Sequence, residues 1–318
     1  MNRQDRAHKT RVAVVGATGY GGAELIRQLL VHPGIELVRL VAKDHIGQRI
    51  DEVHLSLEGL TDLVVEDLEP AVVSSNADLV FLGLPHRVSA LVAAQYARHE
   101  VRIIDLSGDY RLLDAAQYAR YYGLEHPLPD LLGSYVYGLP EMNRDAIAAA
   151  RHVSSPGCFA TAITLALLPF ARAGVLSGRV RVTAMTGSSG SGANPSSGTH
   201  HPLRAKTLRP YRPLTHQHTP EIEQSLRLSG AADLVLDFVP VSAPLTRGIL
   251  ATCYFDVDAS VSPDALHDMV EQSYRDERLV RVLRNRLPQV GPIAGSMYCD
   301  VGISPEERVI AGQRTVVA

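Results

Sequence analysis

The feature that most limits what this chain can fold into lies near its start. There the all-apolar run Val12–Val15 enters Gly16-Ala17-Thr18-Gly19-Tyr20-Gly21-Gly22 and leaves with helical spacing over Ala23–Val31. An unbroken apolar run is the pattern of a strand buried on both faces, as in a parallel sheet. Glycines after such a strand let the backbone turn tightly and approach a pyrophosphate, and the next helix offers unpaired N–H groups with a partial positive charge. A glycine triplet alone is weak evidence, but between a buried strand and a helix it favours a dinucleotide site over a merely structural turn. His32-Pro33-Gly34 stops the helix, and Leu37–Ala42 reads as a second strand. An acid directly at the end of that strand would signal NAD; this chain instead reads Val41-Ala42-Lys43-Asp44. Lys43 can pair with a 2′-phosphate and moves the expectation toward NADP, with Asp44 pulling the other way.

Buried runs at Leu79–Leu84 and Arg102–Leu106, separated by helical Val88–Arg98, continue the alternation of strand and helix. The prediction for residues 1–155 is a doubly wound α/β sheet that binds a nucleotide. After about residue 155 the pattern changes. Helical Ala160–Ala173 precedes a β-type run at Arg179–Met185; Leu234–Val241 and Gly248–Val257 alternate as antiparallel strands do; Pro263–Tyr274 is helical. Residues 156–312 are therefore expected to form an α+β domain with a mixed or antiparallel sheet. Residues 187–198, almost wholly Gly, Ser, Ala, Asn and Pro, read either as a linker or as a shaped anion-binding loop.

Composition excludes several classes. A length of 318 residues allows two domains, and 46% hydrophobic residues supply their cores. A net charge of −3 leaves no overall basic field for nucleic acid or an anionic membrane. No window reaches the roughly 18 apolar residues of a membrane span, and MNRQDRAHKT does not read as a secretory signal. The three cysteines cannot pair evenly and share no metal-ligand spacing, which points to a reducing cytoplasm.

Cys158 follows Pro156-Gly157, a turn, and opens an apparent helix, where the helix dipole favours the thiolate. Cys253 and Cys299, in or beside strand-like runs, fit a buried small hydrophobe instead. His216-Gln217-His218-Thr219-Pro220-Glu221 offers imidazole and carboxylate together. Glu221, three residues after His218, is placed to orient its ring, while the bland alternative is a polar loop capped by Thr219. His200, His201, His216 and His218 invite a zinc reading, but a carboxylate-rich shell and helical HExxH spacing are missing, so no metal is expected. Arg204, Arg209, Arg212 and Arg247 lie in the same half; Arg247 before a strand can clamp an anion, with the amides of Ser188–Gly192 as a nest.

At this point the motifs GATGYGG, LPH at 84–86, DLSGDYR at 105–111, YGLPE at 137–141, PGCFATA at 156–162, HQHTPEIEQ at 216–224 and RGIL at 247–250 stand in an order that resembles one family. It is that of N-acyl-γ-glutamyl-phosphate reductases, with their sisters that act on aminoadipate phosphate held on an amino-group carrier protein. The resemblance covers nearly the whole chain. It implies a Rossmann-type NADP domain and a catalytic domain, with Cys158 as nucleophile, His218 as its base and Glu221 beside them. NADP would be held by Gly16, Ala17, Thr18, Gly19, Tyr20 and Gly21, by Ala42, Lys43 and Asp44, and by Leu84, Pro85, His86 and Ser107. Phosphate and substrate would be received by Ser188, Ser189, Gly190, Ser191 and Gly192 with His201, Arg204 and Arg247. The implied reaction is NADPH-dependent reduction of an N-acyl-γ-glutamyl phosphate to the semialdehyde through a cysteine thioester.

Three departures from the family pattern stand out. Many arginine-pathway members have Tyr-Pro after the nucleophile, where this chain has Phe159-Ala160. His200–Arg204 with Tyr211 resembles the carrier-protein branch, whereas PEIEQ resembles the arginine branch. Residues 313–318 are expected to begin a return to the nucleotide domain, with the family's final helix missing. The substrate is thus a small acyl phosphate or a carrier-linked one, and a homo-oligomer, dimer or tetramer, is expected. Aspartate-semialdehyde dehydrogenases share the design but match HQHTPEIEQ and LPH less well. A non-catalytic NADP-sensing module and a zinc hydrolase are the readings from other classes.

Overall fold

The computed structural model describes residues 9–304 and 308–318. The chain divides into two units. The first takes the described residues up to Ala119 together with Leu124–Pro156; the second takes Arg120–Gly123 and Gly157–Ala318.

The first unit runs β1 (Thr10–Val15), α1 (Tyr20–Val31), β2 (Ile35–Val41), α2 (Ile50–Val53), β3 (Val65–Glu66), α3 (Pro70–Asn76), β4 (Leu79–Leu82), α4 (Val88–Tyr96), β5 (Arg102–Asp105), α5 (Ala115–Tyr122, its last three residues belonging to the second unit), β6 (Val136–Tyr137), α6 (Pro140–Ala149) and β7 (His152–Ser154). Its seven strands form one parallel sheet in the order β3-β2-β1-β4-β5-β7-β6. The apolar run of β1 is buried from Val12 to Val15 because helices cover both faces: Val12 and Val14 pack with Ile26 and Leu29 of α1, Ala13 and Val15 with Ala90 and Ala93 of α4. Strand order reverses beside β1, between β1 and β4. That switch point is where the carboxyl ends of parallel strands leave a crevice for ligands.

The second unit contains α7 (Cys158–Arg172), β8 (Arg179–Thr186), α8 (His201–Arg204), β9 (Arg209–Pro210), α9 (His218–Leu228), β10 (Val235–Ser242), β11 (Ile249–Asp258), α10 (Pro263–Tyr274), β12 (Val280–Leu283), β13 (Cys299–Gly302), β14 (Arg308–Ile310) and β15 (Gln313–Val317). The larger sheet has the order β14-β15-β11-β8-β10-β9, and β12 pairs with β13 apart from it. Two expectations change here. β10 and β11 are not neighbours: β8 lies between them, antiparallel to β11 but parallel to β10. Alternation reports which faces are buried, not direction; the connection from β8 to β10 passes through α9, which is how parallel neighbours are joined. Residues 313–318 also differ. Their strand β15 pairs with β11, Tyr254 opposite Val317, so they extend the second sheet.

Candidate functional site

Gly157 caps α7 with extended backbone (φ −68°, ψ 151°), so Cys158 is the first helical residue, and its side chain is exposed. The first turn of α7 contains no acid to offset the helix dipole. Thr161 closes the turn, its amide donating to the Gly157 carbonyl at 2.8 Å. The Gly157 N–H donates to Glu221 Oε1 at 2.8 Å, and Glu221 is fully buried. Glu221 therefore ties α9 to the residue before the thiol, a contact that was not legible from its spacing to His218. Gly157 is also where His218 sits. A Cβ built on Gly157 would come within 2.6 Å of His218 Cδ2 and Cε1, so the missing side chain is the room the imidazole occupies. This brings Cys158, His218 and Glu221 together.

His216 has a different place. Its Nδ1 accepts the His218 amide at 3.1 Å, which puts the proton of a neutral ring on Nε2. Phe159, Tyr211 and Phe238 meet the ring edge-on at centroid distances of 5.5, 5.6 and 5.4 Å. Burial pushes its pKa down to about 3, and the positive charges of His218 and Arg212 act in the same direction. At neutral pH His216 is an uncharged wall of the site. Thr219 does not cap α9: the helix starts one residue earlier, after Gln217, and the Thr219 hydroxyl is buried without a hydrogen-bond partner.

Tyr211 enters the site from the edge of the sheet. Its amide donates to Pro240 O at 3.0 Å, next to the β9–β10 pairing. Burial, with the charge of Cys158 behind it, pushes the phenol up to about 12. Tyr211 therefore lies within electrostatic reach of the thiol as a protonated donor. In the sequence Tyr211 stands out only as a mark of the carrier-protein branch.

The expected anion-binding residues separate into two groups. Arg204 donates from Nη2 to Thr186 O at 3.0 Å, and its Nε is buried without a partner; burial lowers its pKa. Such a guanidinium suits an incoming anion. The nest expected from Ser188–Gly192 is largely used up. The Ser188 and Ser189 amides donate to Leu245 O (2.8 Å) and Thr246 O (3.0 Å), and the Gly192 amide to Ser189 O (3.2 Å). These bonds show that residues 187–192 are a shaped loop and not a linker, with Ser188–Ser191 wound into a short 3-10 helix. Gly187 packs on the backbone of Thr246 and Arg247, where a Cβ would come within 2.7 Å of Arg247 N. His201 opens the four-residue α8 and is exposed, as is Arg247. Among the described residues no group of three or more His, Cys, Asp or Glu side chains could hold a metal ion.

In the first unit the glycine turn has the shape a dinucleotide needs. Gly16 adopts φ +85° with its amide on Val41 O at 2.8 Å, and a Cβ there would strike the Gly83 backbone of the neighbouring strand's loop. A Cβ on Gly22 would lie 2.6 Å from Gly16 O, so this glycine permits close helix–strand packing. Ala17 and Ala42 are buried, Tyr20 and Gly21 exposed. Helix α1 follows Gly19 with no side-chain cap and no acid in its first turn, so its N–H groups are available to a phosphate. At the strand ends Thr18 Oγ1 donates to Asp44 Oδ1 and Lys43 Nζ to Asp67 Oδ1, both at 2.6 Å. Leu84, Pro85 and His86 follow β4 beside the turn, with His86 Nδ1 accepting the Gly108 amide at 2.9 Å. Ser107 is buried, and both its amide and its hydroxyl donate to Asp105, so it braces this loop. Asp109 accepts the Arg87 and Ala90 amides and the Tyr118 hydroxyl. The two aspartates of DLSGDYR thus organise the cofactor-side loops, a role the sequence pattern did not disclose.

A parallel nucleotide-binding sheet followed by a mixed-sheet unit with a thiol at a helix start makes the protein an NAD(P)-dependent oxidoreductase. It belongs to the semialdehyde dehydrogenase family: residues 11–150 match the family's NAD binding domain and residues 158–318 its dimerisation domain. It is 38% identical over 309 residues to the N-acetyl-gamma-glutamyl-phosphate reductase of Syntrophobacter fumaroxidans, covering 97% of this chain and 89% of that one. It is 36% identical over 303 residues to the LysW-L-2-aminoadipate/LysW-L-glutamate phosphate reductase of Sulfurisphaera tokodaii, covering 94% and 87%. Its fold is similar to that of aspartate semialdehyde dehydrogenase II from Vibrio cholerae, with a TM-score of 0.68 at 16% identity over 98% of this chain and 93% of that one.

Proposed function

We propose that the protein reduces an N-blocked γ-glutamyl phosphate to the semialdehyde with NADPH, releasing phosphate, as a cytoplasmic homo-oligomer. The supporting observation is the seating of His218 on Gly157, one residue from an exposed thiol at a helix start. The helix terminus and His218 favour the Cys158 thiolate, with the imidazole taking the thiol proton. The thiolate forms a C–S bond to the acyl carbon, and the bond from that carbon to the phosphate oxygen breaks, releasing phosphate. Arg204 is the group best placed to hold an anion of the substrate, since its Nε lacks a protein partner. Reduced nicotinamide, when bound, supplies hydride to the resulting thioester, a far better acceptor than a carboxylate. The C–S bond then breaks, the aldehyde leaves, and Cys158 is a thiolate again. Tyr211 and His218 are the donors available to the negative oxygen that develops during these steps. The Gly16–Gly22 turn and the uncapped α1 hold the pyrophosphate, and Lys43 faces the 2′-phosphate that separates NADPH from NADH.

One observation favours the carrier-linked form of the substrate. Residues 146–220 contain no Asp or Glu, while Arg204, Lys206, Arg209 and Arg212 fall within nine positions. Leu203, Leu208 and Leu214 stand 60%, 59% and 54% exposed among them. A basic surface set with leucines suits a macromolecular, acidic carrier better than a free small acid. Phosphate-dependent reduction of NADP with N-acetylglutamate semialdehyde and with carrier-linked semialdehydes, run side by side, separates the two. Cys158→Ser should abolish turnover with either while leaving NADPH binding intact. Activity above a few per cent in that variant would sink the nucleophile assignment, and a bound cofactor with no turnover on any semialdehyde would favour a sensing module.

A further inference from the structure

At the carboxyl ends of β2 and β3 two side chains of opposite charge, both suited to reading the adenosine ribose, are each engaged by another residue of the chain. Asp44 receives the Thr18 hydroxyl and Lys43 donates to Asp67. The Lys43 and Asp67 side chains are 84% and 38% exposed, so a ligand can reach and divide the pair. Its geometry comes from the sheet. Leu40 and Val41 of β2 pair with Val65 and Glu66 of β3, and the Ala42 amide extends the ladder to Glu66 O at 3.0 Å. Asp67 directly follows Glu66 and Lys43 stands two residues past Val41, so both leave the ends of neighbouring strands, close enough for the Lys43 ammonium to reach the Asp67 carboxylate at 2.6 Å.

We propose that Asp67 is a specificity-determining residue, its carboxylate competing with the cofactor's 2′-phosphate for Lys43 and so holding down the preference for NADPH over NADH. The proposal rests on the reading that Lys43 faces the 2′-phosphate. NADH lacks that phosphate, so its binding leaves the Lys43–Asp67 pair intact, and Asp44 is at hand for the ribose hydroxyls. NADPH has to draw Lys43 away and leaves the Asp67 carboxylate close to a phosphate of the same sign. Both costs fall on NADPH alone. Asn at position 67 keeps the shape and removes the charge.

The experiment is a fluorescence titration of NADPH and of NADH into the full chain as wild type, Asp67→Asn, Lys43→Ala and the double variant, at low and high salt. Asp67→Asn should tighten NADPH by about two- to fivefold, the scale of an exposed ion pair, and move NADH by less than about twofold. The gain should shrink at high salt and vanish when Lys43 is Ala. Weaker NADPH binding in Asp67→Asn would overturn the proposal, because Asp67 would then be positioning Lys43 for the phosphate. No change in Asp67→Asn alongside a selective NADPH loss in Lys43→Ala would overturn the competition and leave the Lys43 reading standing. Equal loss of both cofactors in Lys43→Ala would end both.

Discussion

His216 and His218 stand two residues apart in very different surroundings. His216 is enclosed by three aromatic rings and held uncharged, its Nδ1 fixed as an acceptor by the His218 amide. A ring whose pKa lies near 3 cannot exchange protons usefully at neutral pH. His218, lying on Gly157, is the member of the pair positioned for proton transfer at Cys158. His218→Asn should therefore slow turnover by roughly 10²–10⁴ with much less effect on apparent substrate affinity. His216→Asn, whose amide oxygen can still accept the His218 N–H, should do less harm to kcat. Steady-state kinetics on both variants checks this, and a larger loss at 216 would reverse the assignment. The His-x-His pair was legible in the sequence; the division of labour was not. It depends on Phe159, Tyr211 and Phe238, which lie up to 57 residues away from His216 along the chain.

Helices α7 and α9 meet at their first turns, and the contact is made by a backbone atom and a missing side chain. The Gly157 N–H is held by Glu221, and the His218 ring fills the space beside the Gly157 Cα. Gly157→Ala should push the imidazole off its seat, because a methyl cannot lie 2.6 Å from two ring carbons. The expected result is a fall in kcat of about 10–100-fold from misplacement and a loss of roughly 1–3 kcal/mol of stability from overpacking. Kinetics and thermal unfolding of the same variant measure both; unchanged kcat would show that the position of His218 does not matter to the reaction. Glycine at 157 reads in the sequence as half of a Pro-Gly turn. Its second role is invisible there, since the residue that needs the space arrives 61 positions later.

Over the whole molecule, the buried His216 makes stability depend on pH in a defined direction. An unfolded chain protonates this ring below about 6.5, whereas the folded chain resists until about 3. The stabilising effect is thus fully present above pH 6.5 and is lost as pH falls from there toward 3. Urea unfolding of the wild type should shift to lower midpoints between pH 7.5 and 5, and His216→Gln should show a flatter dependence. Parallel slopes would mean that the imidazole is solvated in the folded protein. No helix among the described residues is long and apolar enough to cross a membrane.

Short-range patterns in the chain are enough to specify the parallel nucleotide-binding sheet, the glycine turn and the cysteine at a helix start. Each is written in neighbouring residues: apolar runs, glycines with a required backbone shape, a Pro-Gly turn before a helical period. The same patterns also place strands β8, β10 and β11 closely in the chain. Long-range packing is what makes β10 run parallel to β8, puts β15 in the second sheet, and bonds the Ser188 and Ser189 amides to residues 245 and 246. It alone joins Lys43 to Asp67 and sets the Tyr211 ring against His216. The reason is common to all of these: hydrogen-bond pairing and side-chain contact join residues tens of positions apart, and a local pattern records what each segment buries but not against which partner.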